Sequence, residues 1–449
     1  MLLNLHKNHK ITLLFFFFIA LQPLIDIFTT FTITQLETSA TVGVLIRTLY
    51  MVLSALFLIV NYKESKYAKY ATLYLLVWGA FLLFHLLVNH FSKPNFYLIE
   101  EIKFLVKLSY FNVILLNFGF MFKYFSKDLQ LKRRFIQGIV ISTSIIGMVM
   151  FISIVTNTSL KSYEYTKTGF TGWFFAGNEL SGLLAIILPI TLYFAIMMTK
   201  EIKHLYLWIP FMLGGYSLLM IGTKVGYGAV VITLGIGLAS ILISFFLKKG
   251  ERKLLKVNGA FTAVLLIILG IITPIVPVFQ NTYAHIELLD TKEKEQQENI
   301  DPEEEEVDEP ETSRIENIML SSRDLYLYQY EQYYLEAPVG QKIIGMGYGG
   351  NFEKTPKMIE MDYSDIFYSM GLIGAILYFL PMLYFGFNVI KRLMQRFSAV
   401  FTPHNALIIS SIFLGLGIAH FAGHVFTSPG VSIYLAIAIT YLHHHLETT

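Results

Sequence analysis

The sequence contains no cysteine, which excludes disulfides, iron–sulfur clusters, cysteine-ligated zinc and a cysteine nucleophile together. Charge is scarce as well: Asp, Glu, Lys and Arg make up 15% of the 449 residues, against roughly a quarter in soluble domains. Hydrophobic residues make up 55% and mean hydropathy is +0.57. An ordinary soluble enzyme is thereby excluded and an integral membrane protein is implied. A helical bilayer crossing takes about 20 apolar residues. Twelve apolar stretches account for most of the chain, at 11–30, 41–61, 70–90, 104–122, 135–156, 177–198, 205–222, 225–247, 257–279, 366–389, 404–426 and 429–443.

The first run follows His6-Lys7-Asn8-His9-Lys10 in the manner of a signal peptide, yet no small-residue cleavage site closes it, so a retained first helix is expected. Basic residues alternate between loops. Twenty of them, from Lys7 and Lys10 through Lys63, Lys132, Arg134, Lys200 and Lys253 to Arg396, fall on one side. The opposite short loops carry Lys93, Lys161 and Lys167. The positive-inside rule then sets both termini in the cytoplasm.

Net charge is +2, but residues 281–364 hold 20 acidic and 7 basic side chains, so an external segment of −13 balances a remainder of +15. The expected architecture is an all-α polytopic membrane protein of about twelve transmembrane helices, with a large external loop between the ninth and tenth. Nine helices occupy 1–280, the loop 281–364 and three helices 365–449. Within the loop, 287–311 has too few large apolar residues to bury a core and is expected to be a disordered, solvated spacer. Ser313-Arg314-Ile315-Glu316 has capping-box spacing and opens an amphipathic helix expected to reach Glu336, with tyrosines at 326, 328, 330, 333 and 334. Pro338 and Gly340 end it. Gly345 to Gly350 forms a tight loop whose glycines allow close backbone approach, and it lacks the Lys-Ser/Thr ending of a phosphate-binding loop.

Ionisable groups within a bilayer are costly, so each is a candidate for function. With the orientation above, Asp26, Arg47, His85, Glu100, Glu101, Lys103, Lys107, Asn178, Glu179, Lys224, His420 and His424 gather toward the outer surface, and the inner half is almost bare. A transporter places its polar groups near the midplane; a one-sided distribution suits a cavity open to the outside and the outer leaflet. The cations Arg47, Lys103, Lys107 and Lys224 suit a phosphate-bearing lipid headgroup. The alternative for each is a structural ion pair, Arg47 with Asp26 and Lys103 or Lys107 with Glu100. His85 reads as a packing residue. His420 and His424, one turn apart, are expected to share a face of the eleventh span.

The sequence resembles the O-antigen ligase and Wzy-type polysaccharide polymerase family of bacterial membrane glycosyltransferases, in its layout and in three local motifs. Gly222-Thr223-Lys224-Val225-Gly226-Tyr227-Gly228-Ala229 occupies the place of a Ser-Arg-Gly-Ala-like motif, with Lys for Arg. Ser322-Arg323, Pro338 and Gly345-x-Gly347-x-Gly349 match an external Arg followed by Pro and Gly-x-Gly. Glu360-Met361-Asp362-Tyr363-Ser364-Asp365-Ile366 precedes Gly371-Leu372-Ile373-Gly374, with acids where the family carries a His-Asn pair. Ala176-Gly177-Asn178-Glu179-Leu180 is similar to the family's Asn-bearing helix start. The missing His points away from ligases, in which it is thought to help activate the acceptor, and toward polymerases.

The resemblance implies that an acceptor sugar hydroxyl attacks the anomeric carbon of a polyprenyl-pyrophosphate-linked oligosaccharide at the outer face of the bacterial cytoplasmic membrane, releasing polyprenyl pyrophosphate. The protein must then stabilise diphosphate charge and deprotonate or orient a hydroxyl. Arg323 and Lys224, with Arg47, are assigned to the diphosphate, making a divalent metal unnecessary; no cofactor is implied. Glu303 to Glu306 lack the Gly and alternation of a calcium loop. Asp362 or Asp365 is the expected base, with Glu360 a third choice; helix capping is their alternative. Asn178, His420 and His424 are expected to bind substrate, the histidines by hydrogen bonds to it or to a loop acid. The implied partners are the lipid-linked oligosaccharide, an acceptor glycan and the bilayer, with a chain-length regulator as a candidate and no nucleic acid. The rivals are ligase-like transfer of finished polysaccharide and a lipid-linked sugar flippase.

Overall fold

The computed structural model describes residues 13–36, 41–124, 129–163, 167–247, 252–283, 286 and 323–448. The expected spacer 287–311, the capping box at Ser313 to Glu316 and Ser322 lie outside them. In chain order the helices are α1 (Leu13–Ala20), α2 (Gln22–Leu36), α3 (Val42–Val60), α4 (Lys66–Ser92), α5 (Leu98–Tyr124), α6 (Leu129–Val155), α7 (Gly177–Met198), α8 (Ile209–Ile221), α9 (Lys224–Phe246) and α10 (Arg252–Ile272). After the undescribed segment come α11 (Arg323–Glu336), α12 (Val339–Ile344), α13 (Asp362–Gln395), α14 (Pro403–Phe421) and α15 (Pro429–Thr448). Hydroxyl caps precede several of the apolar runs: Thr41, Ser65, Thr223 and Thr402 each accept the backbone N–H three residues on, satisfying a donor that the first turn leaves unpaired.

Among the described residues ten helices are long and apolar enough to cross a membrane, and the pair α1–α2, bent by 53°, makes an eleventh. The chain is therefore an all-α polytopic membrane protein. The twelfth expected span, α15, is a helix too polar at its end, where His443, His444, His445 and Glu447 fall, to qualify on composition. It is buried without interruption from Gly430 to Leu442 and packs against α5, α7, α13 and α14, so protein surrounds it on every side. One small β-ribbon, Leu160–Lys161 with Phe170–Gly172, interrupts the helical pattern before α7. The eleventh expected span ends early: α14 stops at Phe421, because Gly423 adopts φ +62°, a left-handed conformation that terminates a helix.

The helix of the tenth expected span begins at Asp362, and α13 runs 34 residues across a break at Gly371 (φ 65°, ψ −175°). The glycine-rich loop closes on that break, with Met346 and Gly347 donating to the carbonyls of Tyr368 and Ser369 at 3.0 Å each. What the loop approaches is thus the protein's own frame. A Cβ on Gly347 would lie 2.7 Å from the Glu101 carboxylate. Glu101 accepts from Tyr348 N–H at 2.9 Å and pairs with Lys93 at 2.5 Å, both side chains almost fully buried. Lys93 also donates to the Tyr348 carbonyl. His85, read as a packing residue, is fully buried and donates from Nε2 to the Ser369 carbonyl at 2.8 Å. Tyr330, one of the five α11 tyrosines, is buried and donates to Lys357 O at 2.8 Å.

Removing one partner of a buried ion pair strands the other charge at a cost of about 3–5 kcal/mol. Glu101→Ala is therefore expected to lower the Tm of the detergent-solubilised protein sharply, and an unchanged Tm would show that the Lys93–Glu101 latch does not hold the loop.

Candidate active site

A cavity of about 540 Å³ opens at the end of the bundle where α2 ends and α3, α5 and α7 begin. Its walls come from α2, α3, α5, the start of α7 and residues 427–431. Of the four predicted cations, Arg47, Lys103 and Lys107 line it. Arg47 pairs with Asp26 at 2.5 Å and donates from Nε to Gln22 at 3.0 Å. Lys103 pairs with Glu100 at 2.8 Å. Lys107 faces the cavity without an ion pair among the described residues. Apolar walls of Ile33, Val44, Ile102 and Val106 leave these charges in a medium where each counts for more than in water.

Lys224 is not part of that lining. It opens α9 as an exposed residue, behind a cap, Thr223, whose hydroxyl lies 2.6 Å from Ser181 of α7. The predicted cluster of four cations is thus three and one. Asn178 is exposed in the first turn of α7 and also outside the lining; its neighbour Glu179 is within it and accepts from Ser428 at 2.8 Å.

A group of carboxylates adjoins the cavity through residues 424–428. Asp362 is 1% exposed and its two oxygens accept from four donors: the backbone N–H groups of His424 (3.2 Å), Val425 (2.7 Å) and Phe426 (2.8 Å), and the Thr427 hydroxyl (2.8 Å). Asp365, 2% exposed, accepts from Ile359 N–H at 2.9 Å and Met361 N–H at 3.1 Å. Neither is a plain first-turn cap: Asp365 folds the entry to its own helix and Asp362 fastens another segment to it.

Glu360 is different, with 31% of its side chain open. Its Oε2 lies 3.3 Å from Arg323 Nη2 and 3.7 Å from His424 Nε2, and its Oε1 lies 3.9 Å from Lys357 Nζ. The contact with His424, ahead of the fields of His424, Arg323 and Lys357, holds the Glu360 carboxyl below its ordinary value in spite of burial. Burial works against charge on His424, but Glu360, Glu179 and Asp362 together raise it above 6.5. Arg323 begins α11 with its side chain 14% exposed.

The expected pairing of His420 with His424 on one helical face does not occur. His420 is exposed near the end of α14 beside the Tyr363 ring, centroids 6.0 Å apart, whereas His424 lies beyond the helix in a left-handed conformation (φ 61°). Ala422-Gly423 was the available signal, since Gly after an apolar run marks a helix end. The roles of Thr427 and Ser428 had no sequence signal beyond their place before Pro429. Among the described residues no three His, Asp or Glu side chains converge as metal ligands.

A sequence model of the family described as O-antigen ligase like membrane protein matches residues 7–449. No curated protein matches the chain.

Each buried donor left without its acceptor costs about 1–3 kcal/mol, so Asp362→Ala is expected to release residues 424–427. Hydrogen–deuterium exchange checks this: amides of Val425 and Phe426 exchange faster in the variant while those of α15 do not, and equal protection in both proteins would remove Asp362 from this role.

Proposed function

The chain belongs to the family of O-antigen ligase-like membrane proteins, and within it we propose a polymerase that joins lipid-linked oligosaccharide repeat units. Membership makes the protein a membrane enzyme acting on polysaccharide; the proposal adds the carrier, the bond and the residues. The donor is an oligosaccharide on polyprenyl pyrophosphate, the nucleophile a hydroxyl of the acceptor glycan, and the leaving group the carrier diphosphate. Alternation of basic loops supports a location in the bacterial cytoplasmic membrane with both termini inside and this end of the bundle outside.

One observation carries the reading. The cavity that holds Arg47, Lys103 and Lys107 shares its Thr427–Ser428 wall with the segment that Asp362 keeps beside Glu360, His424 and Arg323. Cations that could meet a diphosphate thus adjoin a group of proton acceptors, which supports transfer from a diphosphate. Arg323, already inclined to carboxylate, and Lys107 are assigned to the developing diphosphate charge, with Arg47 held ready by Asp26. Charge from the protein would serve where other glycosyl transferases use a metal. Asp362 and Asp365, saturated with donors, are assigned to positioning, and the handling of the proton first given to them passes to the Glu360–His424 pair. Lys224, Asn178 and His420 are assigned to the rim.

Ligase-like transfer of finished polysaccharide uses the same donor chemistry and differs in its acceptor. A flippase needs its site to be reached from both faces; ionisable groups gathered at one end of the bundle favour transfer. Deleting the gene and complementing with wild type or Arg323→Ala separates these readings. Single repeat units on the outer leaflet in the deletion and the Arg323→Ala strain are expected. Long chains stranded on lipid would mean a ligase, and units held on the cytoplasmic leaflet a flippase. Lys107→Gln is expected to cut use of the lipid-linked donor about tenfold, the worth of one charge-assisted contact, measured as initial rate against donor concentration; an unaltered rate would remove Lys107 from the donor site.

A further inference from the structure

Two residues that are not glycine face each other with positive φ, Glu360 at 65° and His424 at 61°. Such conformations persist only where the surroundings impose them, and they gather at functional sites. Here the surroundings are explicit. A Cβ on Gly423 would lie 2.6 Å from the Glu360 carbonyl, so only glycine lets the 423–424 corner press against the backbone at 360–361. Asp362 then holds the corner by the backbone N–H of His424 itself and of the two residues after it. This corner brings the imidazole of His424 to the Glu360 carboxylate, Nε2 lying 3.7 Å from Oε2.

We infer that His424 is the proton acceptor for the attacking hydroxyl, that Glu360 orients it, and that Asp362 is a positioning residue acting through the backbone of residues 424–427. The inference rests on the transferase reading above. Nε2 of His424 faces Glu360 Oε2 at 3.7 Å, a contact that tightens on substrate binding in sites of this kind. With the Nε2 proton directed at the carboxylate, the lone pair of the neutral ring is on Nδ1, which has no hydrogen-bond partner among the described residues. The side chain is 30% exposed, enough to meet a sugar. In the reaction the acceptor oxygen bonds to the anomeric carbon as its proton passes to Nδ1. The bond from that carbon to the diphosphate oxygen breaks, and its electron pair leaves with the carrier. The imidazolium so formed is stabilised by Glu360.

The charged groups around His424 are Glu360, Asp362, Asp365 and Glu179, with Arg323 on the same Glu360 oxygen as His424 and Lys357 on the other. The carboxylates favour the protonated ring, so activity needs a pH above its raised value and is lost as pH falls through it. The test uses proteoliposomes of wild type, His424→Asn, His424→Ala, Glu360→Gln and Arg323→Ala, supplied with lipid-linked oligosaccharide extracted from the deletion strain, with transfer followed from pH 5.5 to pH 9. Asn tolerates the left-handed conformation well, so His424→Asn keeps the backbone and removes the base.

Wild-type rate is expected to rise through one ionisation and level off, His424→Asn to lose about 100-fold or more together with that rise, and added imidazole to restore part of the rate of His424→Ala. Glu360→Gln removes a carboxylate from the ring and is expected to move the rise to lower pH. A His424→Asn rate within about threefold of wild type with the same rise would overturn the inference while leaving the transferase reading intact. Should His424→Asn not fold, the position of the rise in Glu360→Gln decides, and no displacement overturns it. Absence of transfer by wild type and Arg323→Ala alike would instead end the transferase reading, and this inference with it.

Discussion

Four donors converge on Asp362, and the arrangement of this end of the bundle depends on them. The carboxylate sits in the first turn of α13, a long helix packed on α5, α12, α14 and α15, and from there it fixes the backbone between α14 and α15. That backbone carries His424 on one side and Thr427 and Ser428 on the other, the first toward Glu360 and the last two into the cavity wall. A carboxyl group so far from water is sustained only by such a set of donors. The loop gains its conformation and the buried side chain its partners from the same four hydrogen bonds.

The surrounding frame serves the same end. Lys93 and Glu101 clasp the glycine-rich loop, which fills the break in α13 at Gly371, and that break lies beneath the turn holding Asp362 and Asp365. Beyond it α15 runs through the middle of the bundle, its buried face complete from Gly430 to Leu442, and ties the 424–428 segment to the core. Charges in the cavity thus stand on rigid supports while Glu360, His424 and Lys107 keep access to solvent. Preorganised charge of this kind stabilises a leaving diphosphate without reorganisation during the reaction.

Much of this was legible in the sequence, and the limits are physical. Hydropathy and alternation of basic loops report the spans because the bilayer imposes length and charge on each one. They also give the end at which ionisable residues gather. The Asp26–Arg47 pair was readable as an alternative since both lie at one depth in neighbouring helices. A contact between His420 or His424 and an acid of the loop was expected, and His424 with Glu360 is such a contact; the hold of Asp362 on residues 424 to 427 was not readable, because segments so far apart meet only through tertiary packing. His424 was misplaced by treating an apolar run as one helix past Gly423, where backbone conformation decides. Lys224 shows the converse: equal depth does not put two side chains in one cavity.

In the proposed reaction a glycosidic bond is made at the expense of the carrier bond. Counting both products in one reaction tests this, with purified protein in liposomes and lipid-linked oligosaccharide as the substrate. Transfer releases one polyprenyl pyrophosphate for each new linkage between repeat units. Passage of intact lipid-linked oligosaccharide across the bilayer, with neither product formed, would contradict it.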